Sequence, residues 1–128
     1  LRRQRQMCIR DSHSDVQMVT GYGPGWLTVN KQEHRGNLLL GASGFLRPWD
    51  CTDFASLTPQ HFAALAELNA ELVIFGSGSK LRFVHPAWLQ PLMHKRIGLE
   101  TMDTHAACRT YNVLAAEGRN VIAALLLE

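Results

Sequence analysis

The feature that most constrains this chain is the alternation of apolar runs with amphipathic stretches in its second half. Leu72-Val73-Ile74-Phe75 is a continuous apolar run, the composition of a strand buried on both faces. A helix opening at Pro86 is predicted next, carrying Trp88, Leu89, Leu92 and Met93. Lys95 and Arg96 sit near its C-terminus, where the helix dipole favours cations. A short strand is predicted over residues 97–102 and a helix over about 104–117. Asp103 and Thr104 compete to cap that helix. Ala107, Tyr111, Leu114 and Ala115 form its apolar stripe, and Gly118 supplies a left-handed stop. Residues 121–127 read as a last, almost wholly apolar strand. Strand, helix, strand, helix, strand calls for right-handed crossovers and a parallel sheet covered by helices. The expected class is α/β.

An antiparallel piece is expected ahead of it. Residues 16–20 and 26–29 lean towards strand and flank Gly21-Tyr22-Gly23-Pro24-Gly25, a turn of residues that permit or preset its backbone angles. Leu38-Leu39-Leu40 lies at the heart of a third run, and the three together read as a meander. Residues 44–51 are expected to be a loop with an aromatic anchor, Arg47-Pro48-Trp49, in which the proline forbids helix. Thr58-Pro59 then starts a helix reaching about Asn69, with Phe62, Leu65, Ala66 and Leu68 inward.

The length of 128 residues fits one domain. With 46% apolar and 19% charged residues the chain is no disordered polar segment. No apolar run reaches the ~18 residues that a membrane-spanning helix needs. Cys8, Cys51 and Cys108 form no CxxC pair, which argues against a disulfide scaffold and structural zinc and for a reducing, cytoplasmic setting. Six scattered histidines show no HExxH-type spacing, so no metal is expected. The formal charge of +2 is misleading. Arg2, Arg3, Arg5 and Arg10 against Asp11 put +3 into residues 2–12, which leaves −1 on the rest and no basic stripe for nucleic acid. That segment can be written, in frame, as the codons of a transposase-type sequencing adaptor. Residues 1–12 are therefore expected to be a translated library scar, disordered and foreign to the fold. Residues 13–128 are expected to be one N-terminally truncated domain.

Ligands of open parallel sheets bind beyond the carboxyl ends of the strands. Two loops answer to that rule: residues 76–82, after the first buried run, and Met102-Asp103-Thr104, leading into Cys108 and Arg109. If their strands are neighbours, the loops share one rim. Gly76, Gly78, Lys80, Arg82, Asp103, Thr104 and Arg109 would then form an anion-attracting site. The Gly76-Ser77-Gly78 stretch lacks the third glycine of a dinucleotide fingerprint, and Lys80 lacks P-loop spacing, so a plain turn is the simpler reading. Cys108 is the candidate nucleophile, early in a helix beside Arg109 and three residues after His105. It also lies at the edge of the Ala107/Tyr111 stripe, where a buried thiol is inert. Arg109 is expected to bridge to a carboxylate or to carbonyls of another loop.

Three stretches carry a resemblance. They are Leu46-Arg47-Pro48-Trp49; then Leu72 to Gly78 together with Leu81-Arg82-Phe83; then Met102-Asp103-Thr104-His105-Ala106-Ala107-Cys108-Arg109-Thr110-Tyr111-Asn112-Val113-Leu114. Together they resemble the small uncharacterised Mth-nine-three-eight-like domain family, which includes the mitochondrial NADH dehydrogenase (complex I) assembly factor 3. The resemblance implies a three-layer α/β fold with a central, mainly parallel sheet and a smaller antiparallel one. It places the family's recurrent positions on Arg47, Pro48, Trp49, Gly76, Gly78, Arg82, Asp103, Thr104, Cys108, Arg109, Tyr111 and Asn112, none with a catalytic role. Arg47, Pro48, Trp49, Tyr111 and Asn112 are taken as structural. What it implies of function is a soluble, cytoplasmic, cofactor-free domain that binds a protein partner and helps assemble a respiratory or other multi-subunit complex, associated with a membrane-complex subunit but not itself spanning. The alternative from the residues is a small-anion binder, or a thiol enzyme using Cys108.

Overall fold

The structure, a computed structural model, describes residues 16–127. The segment expected to derive from an adaptor, residues 1–12 with Cys8, lies outside the described residues. Strands β1 (Val19–Gly23), β2 (Trp26–Val29) and β3 (Gln32–His34) form a small antiparallel sheet in chain order. Gly23 lets the Trp26 indole fold flat against the backbone, since a Cβ there would come within 2.5 Å of Nε1. Asn30 and Lys31 both take positive φ, 50° and 73°, and turn the chain tightly from β2 into β3. The meander's third strand is thus Gln32-Glu33-His34, a polar trio with no apolar alternation, and not the Leu38-Leu39-Leu40 run expected there.

That run goes elsewhere. Strands β4 (Leu38–Gly41), β5 (Leu46–Pro48), β6 (Leu72–Gly76), β7 (Gly98–Met102) and β8 (Val121–Leu125) form a five-stranded sheet in the order β5-β4-β8-β6-β7. β6 runs parallel to both β7 and β8, whereas β4 is antiparallel to both β5 and β8. The sheet is therefore mixed, and the expectation of a mainly parallel one is corrected. Helical crossovers make strands parallel, but a short hairpin around Gly44 (φ 99°) joins β4 to β5 and obliges them to run antiparallel. It also makes a strand of Leu46–Pro48, expected as loop; Pro48 is tolerated because β5 is an edge.

Helices α1 (Pro59–Ala66), α2 (Gln90–His94) and α3 (Thr104–Ala116) complete the fold. α1 stops short of Asn69, which has φ 58°, a left-handed break. Pro86 opens a 3-10 turn, Pro86–Leu89, and α2 begins behind it because Pro91 has no N–H to continue the ladder. Alternate residues of the central strands face opposite ways. Leu38, Leu40, Ile74, Ala123 and Leu125 pack with Ala107, Cys108, Tyr111 and Ala115 of α3 and with Val19, Leu27 and Val29 of the small sheet. Leu39, Val73, Phe75 and Ala124 pack with Phe62, Leu65 and Ala66 of α1, Leu92 of α2 and Trp49. The result is three layers: α1 and α2, the five-stranded sheet, then α3 with the small sheet.

Candidate functional site

Because β6 and β7 are hydrogen-bonded neighbours, the loops that follow them do share a rim. Thr104 fastens it. Its Oγ1 accepts from Gly78 N–H at 2.9 Å and donates to the Leu126 carbonyl at 2.6 Å, while its own N–H donates to Gly78 O at 2.9 Å. One buried hydroxyl thus joins the β6 loop, the start of α3 and the exit of β8. Gly76 is needed for this approach, because a Cβ would lie 3.0 Å from Thr104 Oγ1 and 3.0 Å from the Leu125 side chain. Gly78 takes φ 104°, a value open to glycine. Asp103 is the N-cap of α3, its Oδ1 accepting from Ala106 N–H at 3.0 Å.

Two of the expected cations, Arg82 and Arg109, are engaged by other groups. Arg82 donates through Nε and Nη2 to Ser77 O, at 3.2 and 2.7 Å, and its guanidinium lies 4.5 Å over the Phe54 ring. Ser77 Oγ, buried, donates to Lys80 O and accepts from Arg82 N–H, so the loop is stapled to itself. Arg109 donates through Nη1 to Tyr22 Oη at 3.1 Å. The expected carboxylate or carbonyl partner is replaced by a phenol from the small sheet, and this bond holds the guanidinium's pKa up. Tyr22 also lies against the His105 ring, with centroids 4.3 Å apart.

Cys108 has no exposed surface. Burial is the chief influence on its thiol, whose pKa is pushed up to about 12 against the smaller pull of Arg109. Burial and the raised pKa both oppose formation of the nucleophilic thiolate. Tyr111 and Asn112 fasten the small sheet to α3. Tyr111 Oη donates to Gln17 O, and Asn112 grips Val19 at both backbone groups, accepting from its N–H at 2.9 Å and donating to its carbonyl at 2.7 Å. On and just after the edge strand β5, Arg47 lies 4.6 Å over the Phe45 ring, Pro48 pairs with Leu38, and Trp49 packs edge-on against Phe75.

Between the rim and the small sheet lies a cavity of about 360 Å3. Gly78, Ser79, Asp103, Thr104 and His105 form one wall; the β1–β2 hairpin, with Tyr22, Trp26 and Leu27, forms another; Leu126 and Leu127 close it. Lys80, Arg82 and Arg109 are not among its lining residues. The rim loops and the turn at residues 21–25 are both legible in the sequence, but not that the hairpin, with Trp26 directly behind its glycine-rich turn, forms the cavity's second wall. Among the described residues no group of histidine, cysteine and carboxylate side chains could hold a metal. No helix among them is long and apolar enough to cross a membrane.

Comparison with known proteins places this arrangement. Residues 19–126 match the model of a family described as protein of unknown function (DUF498/DUF598). An uncharacterised protein of Rhodobacter capsulatus is 37% identical over 84% of this chain and 82% of its own length. The mouse NADH dehydrogenase [ubiquinone] 1 alpha subcomplex assembly factor 3 is 35% identical over 61% of this chain; the match spans 43% of that factor's length. A crystal structure of a Bordetella parapertussis protein superposes with a TM-score of 0.82 at 34% identity, covering 88% of this chain and 97% of that one. The solution structure of a Bordetella pertussis Mth938-like domain gives 0.76 at 31% identity, covering 89% and 87%. With the family's model matched from the first strand to beyond the last, the chain belongs to the DUF498/DUF598 family of Mth938-like domains.

Proposed function

We propose that this domain is a protein-binding module that helps assemble a multi-subunit complex, a respiratory one in the first instance. The observation that carries the reading is the similarity to complex I assembly factor 3. A surface feature supports it. In the segment between β6 and α2, Arg82 is held inward by Ser77 and Phe54, while its neighbours Leu81 and Phe83 point out, 53% and 70% exposed. Two apolar side chains on a pre-stapled loop suit a partner surface, because little ordering remains to be done on binding. The burial of Cys108 weighs against the thiol-enzyme alternative. On this reading the domain works from the cytoplasm, without a cofactor, against a subunit of a membrane complex.

The test is affinity purification from a bacterial lysate, followed by mass spectrometry, with wild type beside a Leu81→Ser/Phe83→Ser double variant. Subunits of one complex are expected with the wild type and are lost with the variant. Recovery of nothing above background by the wild type, or of the same subunits by both, counts against the reading and its proposed surface respectively.

A further inference from the structure

We propose that the cavity between the rim and the small sheet is a binding site for a small, uncharged, ring-bearing apolar molecule. The site is separate from the partner-binding surface on the Leu81–Phe83 loop. Its place follows the rule for open α/β sheets, at the carboxyl ends of the parallel strands β6, β7 and β8. Its volume, about 360 Å3, falls within the range of small-molecule sites. Its walls come from elements far apart in the chain and are fixed before any ligand arrives. Thr104 ties three of them through its hydroxyl, and the Arg109–Tyr22 bond with the His105–Tyr22 ring contact holds the hairpin against α3.

The lining sets the class of ligand. Leu27, Leu126, Leu127 and the rings of Tyr22 and Trp26 give an apolar, aromatic surface suited to a flat ring system. The Trp26 indole N–H finds no acceptor among the described residues, so it is a donor for one polar atom of the ligand. The charges around the cavity disfavour an anion. Asp103 lines the cavity, whereas Arg82 is spent on Ser77 O and Phe54, and Arg109 on Tyr22, outside it. A carboxylate or phosphate placed here would meet the Asp103 carboxylate, with no lysine or arginine in the lining to offset it.

A matched pair of fluorescent probes tests this in the full chain: N-phenyl-1-naphthylamine, which is uncharged, and its 8-sulfonate, with the same rings and one negative charge. The uncharged probe is expected to bind saturably, at least tenfold tighter than the sulfonate. It is expected to shift the indole N–H NMR signal of Trp26 and leave those of Trp49 and Trp88 in place. Ser79→Trp and Leu127→Trp, which fill the cavity from two sides, should each weaken binding at least tenfold. Gln60→Trp, in a groove of about 350 Å3 beside Trp49, should not. No saturable binding, equal binding of the sulfonate, movement of Trp49 or Trp88 in place of Trp26, or unaltered affinity in both filling variants would each overturn the proposal.

Discussion

The two faces of the five-stranded sheet are held by different means. On the α1 and α2 face the contacts are aromatic. Phe62 meets Phe75 edge-on at 5.6 Å, Trp49 meets Phe75 at 5.9 Å, and Trp88 closes on Phe62 at 6.3 Å. On the α3 face a three-stranded sheet with few core residues has to be fixed in register, and directed bonds do that work. Asn112 grips Val19 N–H and O, Tyr111 holds Gln17 O, and Thr104 ties the rim. Area fills space without specifying alignment, whereas a one-residue slip of β1 would turn its inward side chains out. A face whose partner is a small sheet therefore spends polar side chains where a face covered by helices spends rings.

Four experiments sharpen that contrast. The largest effect concerns Cys108, sealed beneath the α3 face. With Cys8 and Cys51 replaced by Ser, native-state alkylation should run at least about a thousandfold slower than in denaturant, because the sulfur is reached through opening of the fold. Labelling at a free-thiol rate would show that this face opens locally. The raised pKa has a signed consequence. The folded thiol ionises near 12 against a reference of 9.0, so its contribution is whole below pH 9 and is lost as pH climbs towards 12. Denaturation midpoints of wild type and Cys108→Ala should accordingly converge in alkali.

Phe62→Ala comes next, with a loss of about 3–5 kcal/mol in urea denaturation. Its ring has no exposed surface and touches two other aromatic rings besides Trp49. A loss below about 1 kcal/mol would mean that the aromatic face closes over the hole. Asn112→Ala should cost less, about 1–3 kcal/mol for the backbone groups left without partners, and the damage should be local. Hydrogen exchange at Val19 should accelerate while the amides of β6 keep their protection. Equal losses in both would show that the small sheet and the central sheet unfold as one unit.

What could be read from the sequence divides along the same line. The Leu72–Phe75 run, the stripe on α3 and the cap at Asp103 are local signals, and each led to the element found. Strand β3 was invisible because Gln32-Glu33-His34 has no alternation; the turn at Asn30-Lys31 makes it. The destination of Leu38-Leu39-Leu40 was misread because an apolar run does not name its neighbour. Part of that choice is made by Asn37, whose side chain accepts from Leu127 N–H and donates to Cys51 O. At the rim, topology put the two loops together, and the rule about strand ends found them. The cavity's other wall, the Tyr22–Leu27 hairpin, comes from about eighty residues earlier, beyond the reach of spacing arguments. The partners of two of the cations that suggested an anion site, Phe54 under Arg82 and Tyr22 beside Arg109, come from the same long-range geometry.

The position of β8 carries a consequence for how the molecule comes into being. It is the last of the described strands to be synthesised, yet it lies at the middle of its sheet, with β4 on one side and β6 on the other. While the ribosome still holds residues 121–125, the β4–β5 hairpin and the β6–β7 pair have no edge in common. Each nascent half exposes an unpaired strand and its apolar side chains. Completion of this sheet is therefore a late, nearly all-or-none event that waits on residues 121–125. A nascent chain stalled before residue 121 should engage chaperones, and one released a few residues beyond Leu127 should not.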